Sequence, residues 1–460
     1  MKILIVNRFF GGAQIPTGRM AEDVARVLVE QGHEVTALAS TGTYAGAEKR
    51  AQHGAGKDGV SVGRCCGVSV FTELPKNRPT ELPGPRGTLR VEQVRVPKWM
   101  PRALAWAWFT WQARKRIPRM DWDVCVLMTD PPLLPLLAAR VKAAEGLRDY
   151  GTTGPRDATR RVAVWLMDLY PEALAASGRL GPSNPLYKWY FSRRQQSLAA
   201  ADLLICLGDQ QRTLLGEALT KEVRAAVVPP WDDRGNIELA VEESLTNLAL
   251  YAGNLGEAHC FEEILAAAPY LPGDWTIRFA VRGAKLGALR AKASHREFSH
   301  GLRGLNTDGV RAAAPTGLRG SAHAVGPTAL AVSPPSEEAK SPGSKIEITG
   351  YASEWETPRL LASARVHLIT MSPGWEGIVV PSKLYGCIRT GRPVLFVGPD
   401  NADTAREIRA HDWGKVLPAG ASGEEVAAAI LELAARPTRA TQSENGAKKV
   451  AQLIQGLATD

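Results

Sequence analysis

Lys383 sits near the middle of the stretch Gly374–Pro399, GWEGIVVPSKLYGCIRTGRPVLFVGP, and the residues there that could do chemistry are Glu376, Ser382 and Lys383. A serine directly before a helical run is a good N-cap, because its hydroxyl can accept an orphan amide of the first turn. The free amides and positive dipole end of a helix start suit a phosphate. Lysine is the wrong charge for that position, and it becomes more comfortable when an anion arrives. The bland alternative is an ordinary α/β crossover with a surface lysine. A second candidate is the turn Gly253-Asn254-Leu255-Gly256, which follows an apolar run and leads to a helix from about Phe261 to Ala268. A Gly-rich turn of this kind can cradle a pyrophosphate. Its polar candidates are Asn254, Glu257 and His259; the histidine either donates to a phosphate or lies on the helix surface. Asp168 is a third candidate, after the apolar run Ala163–Leu166; it is either a ligand-facing acid at a strand end or a cap of the following turn.

The elements that position these residues are short apolar runs alternating with amphipathic helices. Lys2–Val6 is continuously apolar, as in a strand buried on both faces. Gly11–Gly12 makes a turn, Met20, Val24, Val27 and Leu28 share one helical face, Gly32 stops the helix, and His33–Ala39 is the next strand. This is a βαβ opening of Rossmann type without the full GxGxxG fingerprint. Further strands are expected at Asp123–Met128, Ala163–Leu166 and Asp202–Leu207, and a second βαβ series starts at Leu248–Ala252 and continues through Trp275–Val281, Lys345–Gly350, Arg365–Thr370 and Pro393–Val397. Residues 43–90 read as a long loop, functional or disordered, with a strand at Gly67–Phe71. Residues 290–344 read as a low-complexity flexible insertion.

Two stretches combine aromatics with cations. Pro97–Arg119 interleaves Trp99, Trp106, Trp108 and Trp111 with Arg102, Arg114, Lys115, Arg116 and Arg119, and Pro185–Ala201 is a second aromatic and basic helix. Such a composition suits a helix lying in a membrane interface, or a core-packing helix with a solvated basic end. The net charge of +9 favours polyanionic partners without choosing among them. The six cysteines form no CxxC pair, and reduced thiols are the expectation. The first residues read as a strand rather than a signal peptide, and no run of about 18 apolar residues implies a membrane span.

PSKLYG followed by GRPV resembles the donor-site segment of family-4 retaining glycosyltransferases of the GT-B fold, closest to the branch of exopolysaccharide, colanic-acid and O-antigen synthesis. Thr129-Asp-Pro-Pro-Leu, Asp168-Leu-Tyr-Pro-Glu172, the PPW at Pro229–Trp231 and the YAGNLG at Tyr251–Gly256 resemble further segments of that branch. The resemblance implies an α/β protein with two Rossmann-like domains facing a central cleft: residues 1–235 for the acceptor, 245–422 for the nucleotide-sugar, and 423–460 as helices crossing back to the first domain. It implies transfer of a hexosyl or N-acetylhexosaminyl group from a nucleoside diphosphate, with retention, to a lipid-linked acceptor at the cytoplasmic face of the cell membrane. No cofactor, no metal and no nucleic acid are implied.

Residue by residue, Gly11 and Gly12 would line the cleft. Gly253, Asn254, His259, Arg282, Ser382 and Lys383 would hold the diphosphate, and Tyr351 would lie near the base. Asp168 would stand on the acceptor side. The family carries two glutamates separated by seven residues in its donor loop; here the matching positions are Ile378 and Gly386, and Glu376 lies two positions early. Glu376 is the candidate to contact sugar hydroxyls in their place. Met167 replaces the histidine that many members carry before the aspartate. These departures motivate an alternative, a catalytically silent nucleotide-sugar-binding or scaffold protein of a polysaccharide assembly. An epimerase is a weaker third reading, since its carboxylate and histidine pair is not found.

Overall fold

The structure, a computed structural model, describes the chain except residues 12–14, 41–61, 66–67, 72–79, 84–86, 98, 144–159, 217–222, 233–245, 304–344, 354–355, 440–444 and 460. Gly12 therefore lies outside the described residues, as does most of the 43–90 stretch.

The first lobe contains β1 (Lys2–Val6), α1 (Pro16–Glu30), β2 (Glu34–Ser40), a separate antiparallel hairpin of β3 (Val62–Cys65) and β4 (Val68–Phe71), then β5 (Thr80–Pro83), β6 (Thr88–Val94) and α2 (Arg102–Arg116). It continues with β7 (Val124–Met128), α3 (Ala138–Ala143), β8 (Arg161–Trp165), α4 (Glu172–Ala176), α5 (Pro185–Leu198), β9 (Leu203–Cys206), α6 (Asp209–Leu215) and β10 (Arg224–Val227). Its sheet runs β10-β9-β8-β7-β1-β2-β6-β5, parallel except for the edge strand β5. Within the stretch expected to be a long loop, β4 matches the strand expected at Gly67–Phe71, while β5 and β6 correct the rest: Thr88–Val94 pairs with β2 in full register.

The second lobe contains β11 (Leu248–Asn254), α7 (Glu262–Ala267), β12 (Thr276–Arg282), α8 (Leu286–Arg303), β13 (Lys345–Gly350), α9 (Thr357–Ala362), β14 (Val366–Thr370), α10 (Lys383–Ile388), β15 (Val394–Val397), α11 (Asp403–Ala410), β16 (Gly414–Leu417) and α12 (Gly423–Ala434). Its sheet is parallel throughout, in the order β13-β12-β11-β14-β15-β16. α8 corrects the start of the expected insertion, because residues 290–303 are helical; its first turns bury Leu289 and Ala293 in the core of the second lobe.

The central strands are continuous apolar runs because helices cover both faces; β7 and β14 are buried along their whole length. One core lies between the first sheet, α1 and the last helix α13 (Gly446–Thr459), where Val450, Ile454 and Leu457 meet Met20, Val24 and Leu28. Of the two closing helices expected to cross back, α13 does so. α12 stays on the second lobe, with Val426, Ile430 and Leu433 in that lobe's own core. In both sheets the strand order reverses beside the first strand, between β1 and β7 and between β11 and β14. Loops leaving adjacent strands there turn to opposite faces, and the crevice between them is where open α/β sheets take ligands.

Candidate functional site

Lys383 starts α10 and points inward to the reversal point of the second sheet. Its Nζ donates to the Tyr251 hydroxyl at 2.6 Å and lies 4.1 Å from the centre of that ring. Tyr251 is on β11, two residues before Gly253. Gly253 has φ of +137°, and a Cβ there would lie 3.7 Å from Lys383 Cε. Glycine thus leaves space beside the lysine side chain. No carboxylate among the described residues pairs with Lys383. Desolvation accordingly pulls its ammonium from the ordinary 10.5 down to about 7.

His259 shares this recess, edge-on to Tyr251 at 6.3 Å. Its Nδ1 lies 2.6 Å from the Thr370 carbonyl at the end of β14. A carbonyl only accepts, so Nδ1 carries the proton and Nε2 is left as an acceptor. Burial, and then the Lys383 charge, push the imidazole well below its usual pKa, so it is neutral. This corrects its expected role as a donor to phosphate. Lys285 Nζ donates to the His259 carbonyl at 2.6 Å and adds a second cation nearby.

One expected phosphate feature, the Ser382 cap, is not built as the sequence suggests. Ser382 has helical backbone angles, φ −60° and ψ −19°, and makes no side-chain cap. A capping hydroxyl needs an extended residue to reach the first-turn amides. The Leu255 amide, which follows the Gly253-Asn254 turn, donates to the Arg282 carbonyl at 2.6 Å and is therefore spent. That bond joins the ends of β11 and β12. Gly283 makes the approach possible: its φ is +129°, and a Cβ would stand 2.7 Å from Asn254 Oδ1. Arg282 itself stacks on Tyr351 at 4.2 Å, so these two predicted residues meet at neighbouring strand ends. Glu376, half-buried in the loop before α10, makes no hydrogen bond or ion pair among the described residues.

On the first lobe, Asp168 follows β8 and Asp130 follows β7, with Met128 and Trp165 paired in register. Asp168 keeps an accessible surface although protein surrounds it, as expected of a group on the floor of a cleft. Desolvation raises both carboxyls to about 6; the Asp130 charge adds to the rise at Asp168, and Arg102 opposes it at both acids, with Arg8 acting at Asp130. Asp168 makes no capping bond. Its neighbours hold the backbone instead: the Met167 amide donates to Thr129 Oγ1 at 2.9 Å, and Gln211 Nε2 donates to the Met167 carbonyl at 2.8 Å. Arg194, buried on α5, binds Glu172 through both terminal nitrogens at 2.6 and 2.7 Å and donates to the Tyr170 carbonyl. Gly11, with φ of +68°, turns the chain after β1, and its amide donates to Gly18. Asp130 and Arg8 escaped sequence reasoning, although each lies within two residues of the C-terminus of a strand at the reversal point.

The lobes touch beside this site. The Leu169 amide donates to the Ile378 carbonyl at 2.9 Å, and Arg179 pairs with Glu257 at 2.9 Å. Asp168 is thereby brought next to the loop that carries Glu376. Gln210 and Asp403 exchange amide bonds across the lobes, each at 3.1 Å.

Solved structures similar to the chain share this architecture. Anabaena HepE in complex with UDP and glucose superposes with a TM-score of 0.52 at 12% identity, over 100% of this chain and 97% of that one. WaaG, a glycosyltransferase involved in lipopolysaccharide biosynthesis, gives 0.53 at 15% identity over 99% and 100%. A UDP-forming trehalose-phosphate synthase from Burkholderia xenovorans gives 0.52 at 11% identity over 99% and 96%. The fold is therefore GT-B: two Rossmann-like domains, α/β throughout. No protein-family model matches the sequence, nor does any curated protein sequence.

Proposed function

We propose that the protein is a retaining glycosyltransferase of family 4 that moves a sugar from a nucleoside diphosphate to a lipid-linked saccharide in cell-surface polysaccharide synthesis. The observation that carries this is Lys383: a desolvated cation without a carboxylate, turned inward at the strand reversal of a GT-B second lobe. A sugar diphosphate is the counter-charge such a site lacks. The anomeric C–O bond to the diphosphate breaks as the acceptor oxygen bonds to the same carbon. Negative charge grows on the departing phosphate, where Lys383 and Arg282 stabilise it. Glu376 contacts the sugar hydroxyls. Asp168, mostly ionised at pH 7, accepts the proton of the acceptor hydroxyl. The reaction calls for no metal or cofactor. HepE was crystallised with UDP and glucose, and another structure of similar fold is bound with UDP-2-fluoro glucose, which agrees with a nucleotide-sugar donor.

Peripheral attachment to the inner face of the cell membrane is supported by the surface of α2, the turn that leads into it and α5. Trp99, Leu104, Trp111, Leu186 and Trp189 are all exposed, alongside Arg114, Lys115 and Arg193. Lys115 Nζ lies 3.7 Å from the Trp111 ring, an amphipathic pairing suited to headgroups. Among the described residues no helix is long and apolar enough to cross a membrane.

A nucleotide-sugar binding screen with UDP-, GDP- and dTDP-sugars, repeated with Lys383→Ala, tests the proposal. Binding that is absent throughout, or unchanged in the variant, removes it. One observation favours a binding-only scaffold instead: Ile378 and Gly386, the positions of the family's glutamates, are both buried. Donor binding without product in a radiolabelled transfer assay with membranes would select that alternative.

A further inference from the structure

One cavity among the described residues is lined by none of Lys383, Asp168 and Glu376. It has a volume of about 830 Å³ and lies where the chain crosses between the lobes, out through Val227–Pro230 and back through Arg436, Arg439 and Gly446. Four cationic side chains line it, Arg392, Arg436, Arg439 and Lys449, against the carboxylates Glu407 and Asp412. The cations are gathered rather than dispersed. Asp412 accepts from Arg436 at 3.0 Å and from Arg439 at 2.8 Å, drawing two guanidiniums to one point. Among the described residues Asp412 is the one non-glycine with positive φ, at 51°. That sparsely populated conformation turns its carboxylate to the arginines while its neighbours His411 and Trp413 stack, with centroids 4.5 Å apart and planes at 21°. Planar aromatic surface and clustered guanidiniums lining one cavity are what a base with an attached phosphate requires.

We propose that this cavity is a second ligand site, taking a nucleoside phosphate with its base on the His411–Trp413 stack and its phosphate on the Arg436, Arg439 and Lys449 side. Tyr385 and Ile388, which line the cavity, lie about 200° and 140° around α10 from Lys383 at roughly 100° per residue. A ligand there rests on the back of the six-residue helix whose front carries the lysine. Occupancy of one site therefore alters affinity at the other, and reciprocally. Only this coupling rests on the donor role of Lys383; the site itself does not.

Equilibrium dialysis of the full chain with radiolabelled UDP, and separately with ADP, tests it. In Lys383→Met one nucleotide site weakens at least tenfold and the other keeps its affinity. Adding Trp413→Ala or Lys449→Glu to that variant weakens the retained site at least tenfold, in protein that melts at an unchanged temperature. Should Trp413→Ala lower the melting temperature, Lys449→Glu, an exposed change, decides. Loss of all nucleotide binding in Lys383→Met overturns the proposal, as does residual binding indifferent to Lys449→Glu. If Lys383→Met leaves two UDP sites intact, the donor reading falls and the second site stands.

Discussion

Donor binding should take up a proton, and the amount is set by Lys383. In the free protein burial holds this ammonium at about 7. At pH 8 roughly nine molecules in ten then carry a neutral amine, and at pH 6 roughly one in ten. A diphosphate placed against Nζ restores the charged form and lifts the pKa in the complex. Binding at pH 8 therefore consumes close to one proton, and at pH 6 close to none. Affinity falls as the pH rises above 7, by up to about tenfold or 1.4 kcal/mol per unit, until the pKa of the complex is reached. Above pH 7 the surrounding groups leave the signal clean, since Asp130 and Asp168, raised to about 6, are mostly ionised there. Tyr251 is pushed upward by burial, Cys260 is raised to about 12 and His259 is held neutral, so none of them titrates between pH 6 and 9. The assay is calorimetry with the nucleotide-sugar that binds, titrated at each pH in two buffers of different ionisation enthalpy. A sugar diphosphate diester has no ionisation of its own in this range. Lys383→Arg, always protonated, should bind without uptake. Tight wild-type binding at pH 8 with no proton uptake would refute the placement of the diphosphate on Lys383.

Lys383→Met should separate function from stability. It weakens donor binding by about 1.5–3 kcal/mol, yet raises unfolding free energy by about 1–3 kcal/mol in urea melts at pH 6. Because the folded-state pKa lies below the unfolded one, charging this lysine costs stability as the pH falls from 10.5 towards 7, so the gain shrinks at alkaline pH. Asp130→Asn should move the acid limb of kcat/KM, near pH 6, to lower pH, since it removes a like charge from beside Asp168; an unmoved limb separates the two acids. Arg194→Met strands the Glu172 carboxylate and should cost about 3–5 kcal/mol of stability, read from urea midpoints. Gly208→Ala drives a methyl into the Asp403 carboxylate and should cost about 1–3 kcal/mol by the same measurement.

The apolar strands carried most of the fold legibly, because a strand covered on both faces has no polar residue to obscure it. β1, β7 and β11 could be read directly from KILIV, VCVLM and LALYA. β6 was hidden because TLRVEQV is only partly buried and borders a Gly- and Pro-rich stretch. Lys383 was legible as a cation beside a turn, but its partner was not. Tyr251 lies 132 residues away, and only the parallel pairing of β11 with β14 brings the two together. Ser382 misled for a local reason: serine caps a helix only with extended backbone, and residue type carries no φ.

His259 shows the limit most sharply. As a residue type it offered either a phosphate donor or a surface group. The structure makes it neither, because its proton is committed to the Thr370 carbonyl. Its Nε2, beside a lysine of lowered pKa, can only accept. A neutral acceptor there suits a hydroxyl or an ammonium and repels a phosphate oxygen, so under the proposed donor reading the diphosphate is expected on the Gly253 side of Lys383. His259→Asn should therefore leave affinity for the bare nucleoside diphosphate within about twofold while weakening the intact nucleotide-sugar by about 0.5–1.5 kcal/mol. Equal losses for both ligands in competition titrations would show that the imidazole faces the phosphates after all.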